Sequence, residues 1–507
     1  ADKATIELIS QEDVIDYVEK PKSLYYQIER TKTAACVGSV RADGNILSGK
    51  GVIVGVIDTG IDIFDNAFRN SDGTTRILNI YDQTTGEKYD KQSIDEYIRL
   101  NEDLSGGTFS YDNAPGVDNI MHGTDVSYIA AGSLGVAYEA DIIAVKMGYS
   151  INNQFPRTTS LMDAIDYIIR KAIEYRKPVA VNISYGCNYG AHNGNTLLES
   201  FIDDISKSYR CVICVGSGNE ADKAIHFGGI INTGQVQTAY LSVGEYQSAI
   251  DIQIWKNYWD TIDVMLINPR GEQIGIITEG RINRYETYNT EIITLLGEPS
   301  PYNIYQEIYI NLIPKTDYIL SGIWQIVLMA GSIRAGEYNI WLPSSQALGY
   351  ATAFNNPTAD GTITIPATAR NCIAVGAYNA YTNSYAAFSG RGFDNSIRNV
   401  NAGVKPDITA PGVDISIARQ RGNDITYRNV TGTSYAVPVV TGAAALLMQW
   451  GIVMGNDRFM YGEKLKAALI DGSKPVGLVG ITRNDNQPDP RTGWGAVCLK
   501  NTLNKIL

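Results

Sequence analysis

The sequence predicts an α/β fold, with a doubly wound and mainly parallel sheet into which an all-β sandwich is inserted. Three observations carry this. Short β-branched runs recur: GVIVGVI at 51–57, DIIAVK at Asp141–Lys146, VAVNIS at Val179–Ser184, CVICV at Cys211–Val215 and CIAV at Cys372–Val375. Such continuous apolar runs suit strands covered on both faces. Between them, Leu161, Ile165, Ile168, Ile169, Ala172 and Ile173 recur at helical spacing, and strand–helix alternation implies parallel crossovers. From about Thr233 to Ala367 the helical period disappears. Short alternating segments (IDIQIW, EIYINLI, WQIVLMAG, EYNIWLP) replace it, with turn signals at Pro269-Arg270-Gly271 and Arg334-Ala335-Gly336. The expected organisation is an amino-terminal arm over 1–27, an α/β unit over 28–232 and 368–507, and the sandwich over 233–367.

The bulk numbers exclude some classes. A chain of 507 residues, 44% hydrophobic and with a formal net charge of −12, can bury a large core and is repelled by phosphate backbones. Nucleic acid is therefore not an expected partner. No run of about 18 apolar residues is read from the sequence, so no membrane span is expected. The opening ADKATIELISQEDVIDYVEK has no basic segment followed by an apolar one. Six cysteines lie far apart, which is not the pattern of a small disulfide-stapled scaffold. Cys211 and Cys214 form a CxxC inside an expected buried strand, where packing is the better reading than redox or metal chemistry.

Four segments carry candidate chemistry. Asp58 ends a buried strand in VGVIDTGID, at the edge where such sheets bind ligands. His122, one of three histidines, opens a helix in HGTDVSYIAAG. Ser434 opens the apolar helix of TGTSYAVPVVTGAAALLMQW, where a helix amino terminus offers free N–H groups to a developing oxyanion. Asn219 follows the strand CVICV in VGSGNE, with an amide able to donate a hydrogen bond. Singly, each has a plain structural reading: a capping Asp, a packing His, an N-cap Ser and a turn Asn.

Together, and in this order, the four segments resemble the subtilase (subtilisin-like, S8-type) serine proteases. IDTGID, HGTDVSYIAAG and GTSYAVPVVTGAAA are similar to that family's three signature blocks, and GSGNE to its oxyanion block. VNISYG at Val181–Gly186 is similar to its substrate-lining segment. The resemblance covers roughly residues 50–230 and 365–500. It implies Asp58, His122 and Ser434 as a catalytic triad, with Asn219 and the Ser434 N–H as an oxyanion hole. It also implies Ser184 and Gly186 as substrate-backbone binders, with Glu220 near the S1 pocket favouring a polar or basic P1 residue. Val437 and Val439 depart from the usual small and polar residues of the serine block, and Ser217 stands where Ala is usual.

A narrower resemblance, to the clostridial Csp germination proteases, rests on the β insert between the asparagine and serine blocks. It implies a jelly-roll-like insert, a spore-associated or extracellular location, and a protein zymogen such as a spore cortex hydrolase precursor as substrate. VIDYVEKPKSLYYQIERTKTAA resembles the end of a subtilase propeptide, which places an autoprocessing junction near Gln27–Ile28 and makes the cleaved propeptide a partner. The alternatives are a catalytically silent binding protein on the same fold, an adhesion protein working through its insert, and peptide ligation. The resemblance calls for no required cofactor. Calcium is permitted on acidic loops such as Asp62 to Asp72, although no stretch has a regular calcium-loop or zinc spacing.

Overall fold

A computed structural model describes residues 27–38, 40–42, 44–104, 113–148, 156–277, 282–393, 403–422, 424–477 and 487–507. The expected arm lies outside the described residues except for Gln27, which opens helix α1 (Gln27–Ala34).

The apolar runs form the centre of a nine-stranded sheet. In chain order its strands are β1 (Ile53–Asp58), β2 (Ile77–Asp82), β3 (Glu87–Asp90), β4 (Asp141–Lys146), β5 (Val179–Ile183), β6 (Cys211–Gly216), β7 (Ile373–Asn379), β8 (Ser384–Tyr385) and β9 (Ile408–Pro411). The spatial order is β8-β7-β6-β5-β1-β4-β2-β3, with β9 also on β7. All the central pairs are parallel, and only the edge pairs β2–β3 and β7–β8 are antiparallel. β1 pairs with β4 on one side and β5 on the other. The chain winds out in one direction from β1 and then returns to wind out in the other. The carboxyl end of β1 is therefore the switch point of the sheet, where such folds open a crevice.

Side-chain alternation divides the strands between two cores. Val54, Val56, Ala180, Val212 and Cys214 face helices α3 (His122–Ala131) and α6 (Thr433–Met448). Ile53, Ile57, Val179, Val181, Cys211, Ile213 and Val215 face α4 (Thr158–Tyr175) and α5 (Leu197–Ser208). Cys211 and Cys214 thus belong to opposite faces, and burial pushes both thiols up to about 12. Each is a small apolar side chain here. Helix α2 (Lys91–Leu104) packs at the β2–β3 edge, and α7 (Gly462–Asp471) and α8 (Leu499–Ile506) close the carboxyl-terminal end.

Helix α6 and its continuation run unbroken over Thr433–Val453, and among the described residues this one helix is long and apolar enough to cross a membrane. In the fold, 89% of its most apolar window is buried, and it is apolar all round because strands and α3 surround it.

The insert is two antiparallel sheets, of five and six strands, sharing one core. Ala239, Leu241, Val264, Leu266, Ile326 and Leu328 from one sheet meet Ile252, Ile254, Ile308, Ile310 and Ile340 from the other. Its strands begin at His226–Ile230, ahead of the expected start at 233, and end with Ala353–Phe354. A disulfide joins Cys36 to Cys498, 462 residues apart in sequence. It ties the segment after α1 to the start of α8.

Candidate active site

Asp58 is the last residue of β1 and is 1% exposed. Its Oδ1 accepts the Thr59 N–H at 2.8 Å and the His122 Nδ1–H at 2.7 Å. This contact needs α3 to begin almost against the turn after β1. Gly123 permits that, because a Cβ there would lie 2.3 Å from Gly60 O and 2.9 Å from the Asp58 Cβ. Asp118, fully buried, holds the start of the helix. It accepts the N–H groups of Met121 (2.7 Å) and Thr124 (2.8 Å) and the hydroxyls of Thr59 and Thr124 (both 2.8 Å). The Thr59 hydroxyl in turn accepts the Gly123 N–H at 3.0 Å. One carboxylate thus binds the turn carrying Asp58 to the turn carrying His122.

The imidazole is a quarter exposed. Desolvation works against its protonated form, but the charge and hydrogen bond of Asp58, with the charge of Asp118, outweigh it. The His122 pKa therefore stands above its ordinary 6.5, although Arg428 opposes the rise.

Ser434 is the second residue of α6 and is partly exposed. Gly432 precedes the helix at φ 155°, a conformation that a side chain would strain. First-turn N–H groups have no intrahelical partner, so the Ser434 N–H is left to the crevice. Pro438 lacks the N–H that would bond the Ser434 carbonyl. The Ser184 hydroxyl supplies a donor to that carbonyl instead, at 3.3 Å, and itself accepts from Asn182 Nδ2 at 3.0 Å. The Tyr435 ring lies 5.3 Å from the His122 ring, centroid to centroid. Ser434 and His122 are thus on neighbouring walls, and among the described residues no hydrogen bond leaves the Ser434 hydroxyl. Crevice hydrogen bonds of this kind often tighten only with substrate.

Asn219 follows β6. Its Oδ1 accepts from the Thr433 N–H at 2.9 Å and the Thr433 hydroxyl at 3.0 Å. With the oxygen occupied, the amide NH₂ turns toward Gly432, whose missing Cβ would lie 3.5 Å from Nδ2. A donor pair made of this amide and the first turn of α6 can receive a developing negative charge.

The ladder of β5 ends at Ile183, and the next backbone pairing is Cys187 with Ile365. Residues 184–186, with Gly186 exposed, lie between them outside either ladder. Glu220 lies against the insert. It is 6% exposed, and its carboxylate accepts the Ser345 N–H (3.1 Å) and hydroxyl (3.3 Å) of the insert. Burial raises its pKa against the lowering effect of those bonds. The carboxylate joins core to sandwich and does not stand free in the crevice.

The loop expected to permit calcium uses its carboxylates otherwise. Asp62 pairs with Arg421, Asp65 caps the turn Asn66–Phe68, and Asp72 binds Thr74. Among the described residues no group of three or more His, Cys, Asp or Glu is placed to hold a metal ion. Sequence reasoning missed Asp118 and the Tyr435 contact. An acidic residue four positions ahead of a helix-opening histidine was the available signal for the first.

Comparison with known proteins gives the family of the chain. The model of the Subtilase family matches residues 49–300 and 335–495. The solved structure of the Clostridium perfringens CspB protease superposes with a TM-score of 0.84 at 34% identity, covering 93% of this chain and 96% of that one. The subtilase-type proteinase RRT12 of Saccharomyces cerevisiae is 33% identical over 128 residues, 25% of this chain and 23% of that protein. Subtilisin E of Bacillus subtilis is 38% identical over 107 residues, 21% of this chain and 24% of that protein. The matched stretches span about a quarter of these two curated relatives. The family match covers well over half of the residues, and the chain belongs to the subtilase family of serine proteases.

Proposed function

We propose that this chain is an active serine endopeptidase. In this reading Ser434 attacks the scissile carbonyl. His122 takes the hydroxyl proton and passes it to the leaving amine. Asp58 holds the Nδ1–H tautomer and stabilises the imidazolium. Asn219 Nδ2 and the Ser434 N–H receive the oxyanion, and the edge at 184–186 binds substrate backbone. The mechanism itself calls on no cofactor. The observation that carries the reading is the 2.7 Å bond between Asp58 and His122 at the sheet's switch point. Without a nucleophile to serve, a carboxylate buried to 1% exposure would have little reason to face a ring nitrogen.

The substrate is a protein, and the likeness to the CspB protease favours limited processing of a precursor, such as a spore cortex hydrolase zymogen, over broad degradation. A secreted or spore-associated setting goes with that reading. Autoprocessing near Gln27–Ile28, with the released segment as a partner, completes it. Amino-terminal sequencing after prolonged incubation checks this last point, and Ala1 alone would refute it.

The deciding experiment is labelling with a fluorophosphonate probe. Labelled wild type and unlabelled Ser434→Ala support the proposal. A folded wild type that does not label overturns it in favour of a silent binding protein.

A further inference from the structure

The strands leading into the serine block carry more charge than a turn needs. Residues Ile415–Arg421 and Asp424–Val430 form an antiparallel hairpin that ends three residues before Thr433. Arg419 and Arg428 from this hairpin both reach Asp125, a fully buried carboxylate in the first turn of α3. Arg419 Nε donates to Asp125 Oδ1 at 3.0 Å, and its Nη2 donates to Met121 O, also at 3.0 Å. Arg428 pairs with the other Asp125 oxygen and donates to Met121 O at 3.3 Å. Met121, immediately before His122, holds a left-handed φ of 66°. The hairpin therefore grips the backbone just before His122 and a side chain just after it, and its own end lies four residues ahead of Ser434.

Stability alone does not call for this arrangement, since a buried ion cluster is often replaceable by apolar side chains at no loss. Two guanidinium groups on one carboxylate leave an excess positive charge, and Arg428, 40% exposed, acts on His122. We propose that Asp125, Arg419 and Arg428 form a positioning cluster, which locks the base-bearing helix to the nucleophile-bearing segment and sets the charge balance at the imidazole. The catalytic half of this inference rests on the proposed protease function. The charge half does not. The groups facing His122 are Asp58 from β1, Asp118 from the turn before α3, Arg428 from the hairpin and Tyr435 from α6, and Arg419 acts on Tyr435 beside it.

The test is an NMR titration of the His122 imidazole in the full chain, for wild type, Asp125→Asn and Arg428→Gln. Removing the carboxylate takes away a negative charge that offsets Arg428, so Asp125→Asn should lower the His122 pKa by about half a unit or more. Removing the exposed cation should raise it in Arg428→Gln. Opposite displacements support the cluster even if the chain does not turn over substrate. Coincident titrations, or shifts in one direction, overturn it even in an active enzyme.

Kinetics then separate positioning from packing. In Arg428→Gln, and in the triple variant Asp125→Leu/Arg419→Leu/Arg428→Leu, kcat should fall about tenfold or more, with KM held within about threefold. Arg428→Lys should recover part of that loss. A folded triple variant with wild-type kcat would overturn the positioning role.

Discussion

The catalytic core and the inserted sandwich bury charge for different ends. In the core, Asp58, Asp62, Asp118 and Asp125 are each 1% exposed or less, and all four lie around one crevice, bound to side chains and backbone from distant segments. The sandwich interior is almost wholly Ile, Leu and Val. Its buried Lys256 and Asp260 sit at one end, where Lys256 donates to Asp260 O at 2.7 Å and Asp260 accepts the N–H groups of Arg334, Ala335 and Gly336. Burying a charge is costly unless it is paired. The sandwich accepts that cost to close a loop, whereas the core accepts it to hold the turns that carry Asp58 and His122. The same kind of residue should therefore fail differently when altered in the two regions.

The sharpest form of this contrast is a pair of isosteric changes. Asp58→Asn should leave the melting temperature near that of the wild type and lower kcat by about 10⁴, because the amide favours the wrong imidazole tautomer. Asp260→Asn should do the reverse, with a lower melting temperature and unchanged kcat. Equal kinetic losses in the two variants would break the comparison.

Next in size is Trp341→Ala, at the joint between the regions. Trp341 is 1% exposed, stacks on His192 at 4.1 Å and on His226 at 4.9 Å, and donates to Gly361 O at 2.9 Å. Its removal should cost about 3–5 kcal/mol by chemical denaturation. Because His192 follows the substrate edge at 184–186, KM should rise more than kcat falls. A kcat loss without a KM change would place the joint's influence on the chemistry and blur the contrast.

Asn219→Ala tests the crevice without touching the triad. It should lower kcat about 10²–10³-fold with KM nearly constant, since the amide acts on charge present only in the transition state. Steady-state kinetics on a peptide substrate measure this, and a pure KM effect would assign Asn219 to ground-state binding.

What the sequence disclosed follows from how local each signal was. Strands β1, β4, β5, β6 and β7 were legible because Val and Ile runs state their burial within five or six residues, whereas an edge strand such as β3 carries no such run. Asp58, His122, Asn219 and Ser434 each sit where a strand or helix visibly begins or ends. The first strand of the sandwich was not legible, because His226–Ile230 carries two adjacent glycines and no alternation. Cys36 and Cys498 gave no sign of pairing across 462 residues. The partners of Asp125 lie some 300 positions downstream, so no local signal marked the carboxylate. Glu220 was assigned by its neighbour Asn219, while its direction is decided by Ser345, 125 residues away.

The pH dependence gives a subtler separation. The His122 pKa is raised, and the base must be neutral to act, so the acid limb of kcat/KM should lie above 6.5. Stability runs the other way. A histidine with a raised folded pKa contributes stability fully below its unfolded value and loses it as pH rises through the folded value. Activity should therefore rise over the same interval in which this contribution to folding fades. His122→Ala should remove that slope from the stability curve, and a slope that persists in the variant would assign it to other groups.

The smallest expected effect is that of Glu220→Gln. If this side chain selected a basic P1 residue, the variant would lose its preference for Lys or Arg over neutral residues. In the structure both carboxylate oxygens serve Ser345, and burial holds the pKa above the ordinary 4.5. A carboxyl group with a raised folded pKa costs stability as pH rises from the unfolded value through the folded one. The neutral amide escapes that cost and can still accept the Ser345 N–H. The variant should therefore fold as well as the wild type or slightly better at neutral pH, with a flatter stability profile between pH 4.5 and neutrality and an unchanged P1 profile. A lost basic preference would return Glu220 to the substrate pocket, and the joint would then depend on Trp341 and its histidine neighbours without it.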